Sequence, residues 1–157
     1  MRAITHIAAS GAAAAAVAAA ADPCAGAAVL LFGGFIDADH VQHFVSSGLP
    51  LNPGALLRSV FSSEGQLEKK YGISRKVPDN VLFPVLHNVE LALALLFSSI
   101  VLDSVFLAGA FAGMILHLLM DIKSYPCSPL FFSMGWRLSN RRKLLKAWKT
   151  HRSSVKW

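Results

Sequence analysis

The chain has 157 residues, a length typical of one domain; 54% of them are hydrophobic and only 15% are charged. Soluble domains carry about 25% charged residues, so this composition argues against an ordinary soluble protein and favours a membrane protein. The net charge of +6 would suggest a nucleic-acid partner in a polar protein, but in an apolar one the placement of the charges decides their meaning. Two cysteines do not suggest a disulfide scaffold.

Four apolar runs predict four helices, at residues 4–21, 24–36, 85–102 and 105–122. Asp22 and Pro23 separate the first pair, and Asp103 and Ser104 separate the second pair. The first run is rich in alanine, and a cleaved signal peptide is an alternative interpretation of it. The second run is short for a full membrane span. We therefore predict an all-α integral membrane bundle of about four helices, which occupies residues 1–130.

Two polar segments complete the chain. Residues 41–84 form a loop that several prolines interrupt, and residues 131–157 form a basic tail in which leucine and tryptophan alternate with lysine and arginine. This tail pattern is typical of an amphipathic helix on an anionic membrane surface, so membrane lipid is the expected partner. A nucleic-acid-binding tail is the less favoured alternative.

The basic residues are distributed asymmetrically. If the four helices alternate in direction, the start of the chain, the loop and the tail share one side of the membrane. All fifteen Lys and Arg residues lie at the start of the chain, in the loop or from Lys123 onward, and the turns near Asp22 and Asp103 contain none. Basic residues concentrate on the cytoplasmic side, which predicts a multi-pass inner-membrane protein with its loop and tail in the cytoplasm.

One apolar helix carries both small and ligand-type residues. Gly109, Gly113, His117 and Asp121 follow each other at intervals of four, which places them on one helix face. The glycines allow a neighbouring helix to approach closely. A histidine nitrogen and a carboxylate on the same face are natural metal ligands. A hydrogen-bonded pair between helices is the alternative for these two residues.

Other ligand-type residues map to the same side of the predicted bundle. Ionisable residues in apolar helices are costly and usually mark a function. The predicted set combines one histidine at the start of the first helix, the string DADH that ends the second, and a histidine that opens the third: His6, Asp37, Asp39, His40 and His87. With His117 and Asp121 these seven residues could hold one or two divalent ions, and Zn²⁺, Mn²⁺ and Fe²⁺ all fit such ligands. Ordinary polar residues at a helix end are the alternative interpretation for Asp37, Asp39 and His40, and an interfacial histidine is the alternative for His87. His43 and His151 are interpreted as structural or solvated.

The chain resembles the YdjM-like inner-membrane proteins, which are labelled membrane-bound metal-dependent hydrolases. The resemblance depends on the early histidine in MRAITHIAASG, on GGFIDADH, on a histidine that opens a later helix, and on GMILHLLMDI. It covers most of residues 1–130 and implies that the seven residues bind metal. Ile36 stands where family members often have a proline, and LHNVE replaces their usual string near the third helix. Glu90 is therefore an alternative to His87 as a metal ligand.

These observations lead to a functional hypothesis. We expect a metal-dependent hydrolase at the cytoplasmic face, in which Asp39 or Glu90 accepts a proton from the attacking water. A phosphoester or lipid substrate would fit this position, and nearby basic residues could attract an anionic one: Lys69, Lys70, Arg75 and Lys76. A cation transporter and a structural membrane protein, in which the same residues only pair helices, are the alternatives.

Overall fold

A computed structural model of the protein describes residues 3–37, 54, 85–122, 129–144 and 146. The described elements are helical: α1 (Ala3–Ala20), α2 (Pro23–Gly34), α3 (Val89–Val101), α4 (Val105–Asp121), a 3-10 turn (Pro129–Phe132) and α5 (Met134–Ser139). Helices α1 to α4 coincide with the four apolar runs to within a few residues. The all-α prediction is therefore confirmed. The loop 41–84 and the end of the tail lie almost entirely outside the described residues.

Short polar signals set the helix boundaries. The Asp22 carboxylate accepts hydrogen bonds from the backbone N–H groups of Cys24 and Ala25, and Pro23 occupies the first turn, where its missing N–H costs nothing. At the next hairpin, Ser104 caps α4. Asp103 has a φ of 46°, a left-handed conformation that aspartate tolerates better than most residues, and it allows the chain to reverse over two or three residues.

The glycine stripe of α4 lies against α2, as the sequence predicts. A Cβ atom added to Gly109 would lie 2.3 Å from the carbonyl oxygen of Ala25, and one added to Gly113 would lie 2.6 Å from that of Val29. Both neighbours are backbone atoms, so only glycine fits at this helix separation. On its other side α2 packs against α1, where Gly26 approaches the backbone of Ala14. Helix α2 therefore lies between α1 and α4.

The apolar core extends from the bundle into the C-terminal segment. Helix α3 packs on α4, and the 3-10 turn and α5 pack on each other. The buried core residues come from the end of α2, from α3 and α4, and from the C-terminal segment: Ile36, Ala92, Met114, Leu118, Phe131, Phe132 and Leu144. The first part of the predicted tail is thus packed against the bundle.

The prediction of membrane-spanning helices is not confirmed. Within the described part of the chain, no helix combines the length and the apolar character needed to cross a bilayer.

Candidate metal centre

Four chain segments bring their ligand-type residues together. His6 lies near the start of α1 and Asp37 follows α2. His87 precedes α3, and His117 and Asp121 lie in the last two turns of α4. Because the helices alternate in direction, these four ends meet at one end of the bundle. His87 lies in the bend just before Asn88, which caps α3, so it precedes the helix rather than forming part of it.

The side chains of Asp37, His87, His117 and Asp121 form one buried group that could bind a metal ion. The two Nε2 atoms of the histidines are 3.0 Å apart. Each Nε2 lies 3.3–3.4 Å from Oδ1 of Asp37 and 3.5–3.6 Å from Oδ2 of Asp121. In a tetrahedral site with metal–ligand bonds of 2.0–2.1 Å, neighbouring ligands are about 3.3–3.4 Å apart. The five separations that involve a histidine lie close to this value, and all four donor atoms lie within 4.8 Å of one another.

A backbone contact orients the ring of His117. Its Nδ1 lies 2.8 Å from the carbonyl oxygen of Gly33 in the last turn of α2. That carbonyl has no partner within its own helix, and it can only accept, so Nδ1–H must donate. The neutral ring then has its lone pair on Nε2, which points into the group. This arrangement fixes both the tautomer and the direction that a metal ligand requires.

His6 contacts the group from its side. Its Nε2 lies 3.2 Å from Oδ1 of Asp121, the carboxylate oxygen that is turned away from the two other histidines. Its ring stacks on His117 with a centroid distance of 4.0 Å. His6 is only 1% exposed. It is therefore placed to hold the Asp121 carboxylate in position, as residues behind a metal ligand commonly do.

The charges of the group favour a cation. Two carboxylates face two imidazoles that are both fully buried, and Asp121 is only 4% exposed. Buried carboxylates need a compensating charge, and one divalent ion would neutralise both. Asp37 differs from the other three residues because 20% of its side chain is exposed. Solvent therefore reaches the group from the side of Asp37.

Glu90 lies outside this group. Its exposed carboxylate accepts hydrogen bonds from the Ser133 hydroxyl at 2.7 Å and from the N–H groups of Met134 and Gly135 at 3.0 and 3.3 Å. Slight burial opposes ionisation, but these hydrogen bonds outweigh it and lower the pKa of Glu90 to about 2. In the described structure Glu90 therefore stabilises the N-terminus of α5, and its predicted role as a proton acceptor has no geometric support.

Several predicted residues lie outside the described part of the chain. They are the remaining ligand-type residues of the DADH string, the two histidines interpreted as structural, and the basic residues of the loop: Asp39, His40, His43, His151, Lys69, Lys70, Arg75 and Lys76. Their proposed roles stay predictions.

Two contributors were not predicted from the sequence. The Gly33 carbonyl orients a ligand, and the fully buried Arg137 donates from Nη2 to the carbonyl oxygen of His87 at 3.2 Å. A backbone carbonyl has no residue-type signal. Arg137 lies among many basic residues of the tail, so its sequence context suggests a solvated surface.

Comparison of the chain with protein-family models, with curated proteins and with solved structures finds no match. The resemblance to the YdjM-like proteins therefore stays a prediction from short motifs.

Proposed function

We propose that the protein binds a divalent metal ion through Asp37, His87, His117 and Asp121 and is a membrane-associated metal-dependent hydrolase. The observation that supports metal binding best is the close approach of four donor atoms from three separate parts of the chain, with five of their separations between 3.0 and 3.6 Å. A pair of hydrogen-bonded side chains would explain one of these distances but not all of them.

The ligand chemistry limits the choice of ion. Two imidazoles and two carboxylates suit Zn²⁺, Fe²⁺ or Mn²⁺, whereas Ca²⁺ and Mg²⁺ prefer ligand sets made of oxygen. The tetrahedral spacing favours Zn²⁺ among the three. If the protein binds a second ion, His6 and the predicted ligands Asp39 and His40 would be the residues that hold it.

Hydrolysis requires that water and substrate reach the site. A bound divalent ion would supply an activated water and would polarise a phosphoryl or acyl oxygen. Asp37 is the partly exposed member of the group, so we place the approach of water and substrate on its side. Asp39 would follow on the same segment, where its carboxylate would accept the proton that the water loses.

A structural metal site is the alternative that one observation favours. Four protein donors are enough to fill a tetrahedral site, whereas catalytic zinc sites usually keep one position open. Catalysis at this centre would therefore require Asp37 to give up its position when water or substrate binds. In the structural alternative Asp37 stays bound, and the ion joins the ends of α2, α3 and α4.

The apolar exterior supports the membrane part of the proposal. Leu93, Phe97 and Ile100 form a stripe along α3 and are 56%, 69% and 71% exposed. An apolar surface of this kind in a soluble monomer would be unusual, and contact with lipid is one arrangement that covers it. Recovery of the full chain in the alkali-washed membrane fraction is the expected result. Recovery in the soluble fraction would contradict membrane association.

Metal analysis of the purified full chain tests the centre. We expect about one Zn²⁺ per chain, and none after the double change His117→Ala with Asp121→Ala. Asp103→Asn, an exposed change in the opposite turn, is the matched control and should keep the ion. The near-isosteric Asp121→Asn separates loss of metal from loss of fold. Unchanged metal content in the double variant would refute the site.

Activity assays separate the two alternatives. The metal-loaded chain should hydrolyse a phosphoester or carboxylester probe, and a chelator should abolish this activity. A chain that binds the ion but hydrolyses no probe, and that loses thermal stability when the ion is removed, would instead have a structural metal site.

A further inference from the structure

The backbone around His87 lies outside the regular helices. His117 and Asp121 belong to α4, whose hydrogen bonds fix their directions. His87 lies in a bend, where no regular hydrogen-bonding pattern holds it. Asn88 closes this bend, because its side chain donates to the Val85 carbonyl and accepts from the N–H of Leu91. These contacts fix the start of α3, and a group from the C-terminal segment contacts the His87 carbonyl directly.

Arg137 is that group. It is fully buried, which is rare for arginine, and its Nη2 donates to the His87 carbonyl oxygen at 3.2 Å. Its guanidinium carbon lies 5.3 Å from the centroid of the Phe131 ring, within the range of a cation–π contact. Phe131 is itself only 1% exposed. The guanidinium is thus held on one side by a core aromatic ring while it holds the backbone of His87.

A second contact connects the same two segments in the opposite direction. Glu90 lies three residues after His87, and its carboxylate accepts hydrogen bonds at the start of α5, the helix that carries Arg137. Helix α5 has only six residues, too few to be stable alone, so external contacts must keep it in place. Arg137 contacts His87 and Glu90 contacts the start of α5, so the two residues together hold α5 against His87 and the first turn of α3.

We propose that Arg137 is a positioning residue for the metal ligand His87, and that Glu90 supports it by anchoring α5. This inference rests on the proposed metal site. Through these two contacts the C-terminal segment contributes to metal affinity although it supplies no ligand. Residues that orient metal ligands from behind typically change metal affinity by about 10–100-fold when they are mutated.

The test compares Co²⁺ and Zn²⁺ affinity in the full chain and its variants, in detergent micelles. Arg137→Gln should weaken both affinities about 10–100-fold and alter the ligand-field spectrum of bound Co²⁺. Arg137→Lys keeps the positive charge and a hydrogen-bond donor, so it should weaken both affinities less than Arg137→Gln does. Arg142→Gln removes an exposed arginine from the same segment and should have no effect.

A further control separates positioning from general destabilisation. Leu144→Ala opens a cavity in the core cluster that also contains Phe131, but it leaves the Arg137 guanidinium and the Glu90 carboxylate in place. It should lower the stability of the metal-free chain and leave the Co²⁺ spectrum unchanged. If Leu144→Ala weakens metal binding as much as Arg137→Gln, or if Arg137→Gln binds like the wild type, Arg137 does not position His87. If the wild-type chain binds neither ion, the proposed metal site itself fails, and this inference fails with it.

Discussion

Replacing Gly113 by alanine tests how the approach of two helices controls the metal centre. The added Cβ would lie 2.6 Å from the Val29 carbonyl oxygen, 2.9 Å from the Val29 Cα and 3.0 Å from the Gly33 nitrogen. All three are backbone atoms of α2, so no side-chain rotation can relieve the contact. Helices α2 and α4 would have to separate instead.

The size of the effect follows from these distances. An ordinary contact is about 3.4 Å, so the helices must separate locally by roughly 0.8 Å. Such a shift would lengthen the 2.8 Å contact between Nδ1 of His117 and the Gly33 carbonyl, and it would move Asp37 away from the ligands on α4. Overpacking of this kind costs about 1–3 kcal/mol. Because metal sites tolerate displacements of only about 0.2 Å, we expect a loss of at least tenfold in metal affinity as well.

Titration calorimetry with Zn²⁺ and thermal unfolding of the chelated chain measure the two effects separately. Gly11→Ala is the matched control, because nothing lies within 4 Å of an added Cβ there, and it should gain about 0.5–1 kcal/mol from the helix preference of alanine. Gly109→Ala also forces the helices apart, but it lies about 12 Å from His117 along α4 and should disturb metal binding less. If Gly113→Ala has the same metal affinity and stability as Gly11→Ala, the separation of α2 and α4 does not control the metal centre.

Two further predictions concern His6 and Glu90. His6→Phe keeps a ring that can stack on His117 but loses the contact to Asp121. Zn²⁺ affinity should therefore fall about 10–100-fold, with the number of ions per chain unchanged. A fall from two ions to one, measured by metal analysis, would show instead that His6 binds a second ion. Glu90→Gln should lower thermal stability at neutral pH, because the depressed pKa means that the ionised carboxylate stabilises the fold. That stabilisation is fully present above about pH 4.5 and is lost as the pH falls towards 2. The difference in thermal stability between Glu90→Gln and the wild type should therefore disappear over this range. A difference that does not change with pH would contradict the role of Glu90 at the start of α5.

The helices could be predicted from the sequence because their signals are local. Apolar runs, Asp22 with Pro23, and Asp103 with Ser104 mark the boundaries at the two hairpins within one or two residues, whereas α3 begins four residues after the start of its apolar run. The close packing of α4 was also predictable, since the Gly109 and Gly113 stripe depends only on helix periodicity. The meeting of ligand residues at one end followed from alternating helix direction, an inference that needs no distances.

The tertiary structure decided which polar residues share the centre. His87 and Glu90 are three residues apart, and the sequence predicts His87 as a ligand with Glu90 as its possible substitute. In the structure His87 faces His117, whereas Glu90 caps α5. The direction of each side chain depends on where the bend at residues 85–87 ends and on what packs against it, and Arg137, 50 residues away, is part of that packing.

The sequence by itself therefore determined the helices, the glycine contact and the end of the bundle where His and Asp residues gather. The tertiary structure determined the separation of their donor atoms, the tautomer of His117 through the Gly33 carbonyl, and the division between residues of the centre and residues that support it. The reason is physical: helix formation and capping depend on neighbours in the chain, whereas a spacing of 3.0–3.6 Å between donor atoms depends on how closely α2, α3 and α4 pack.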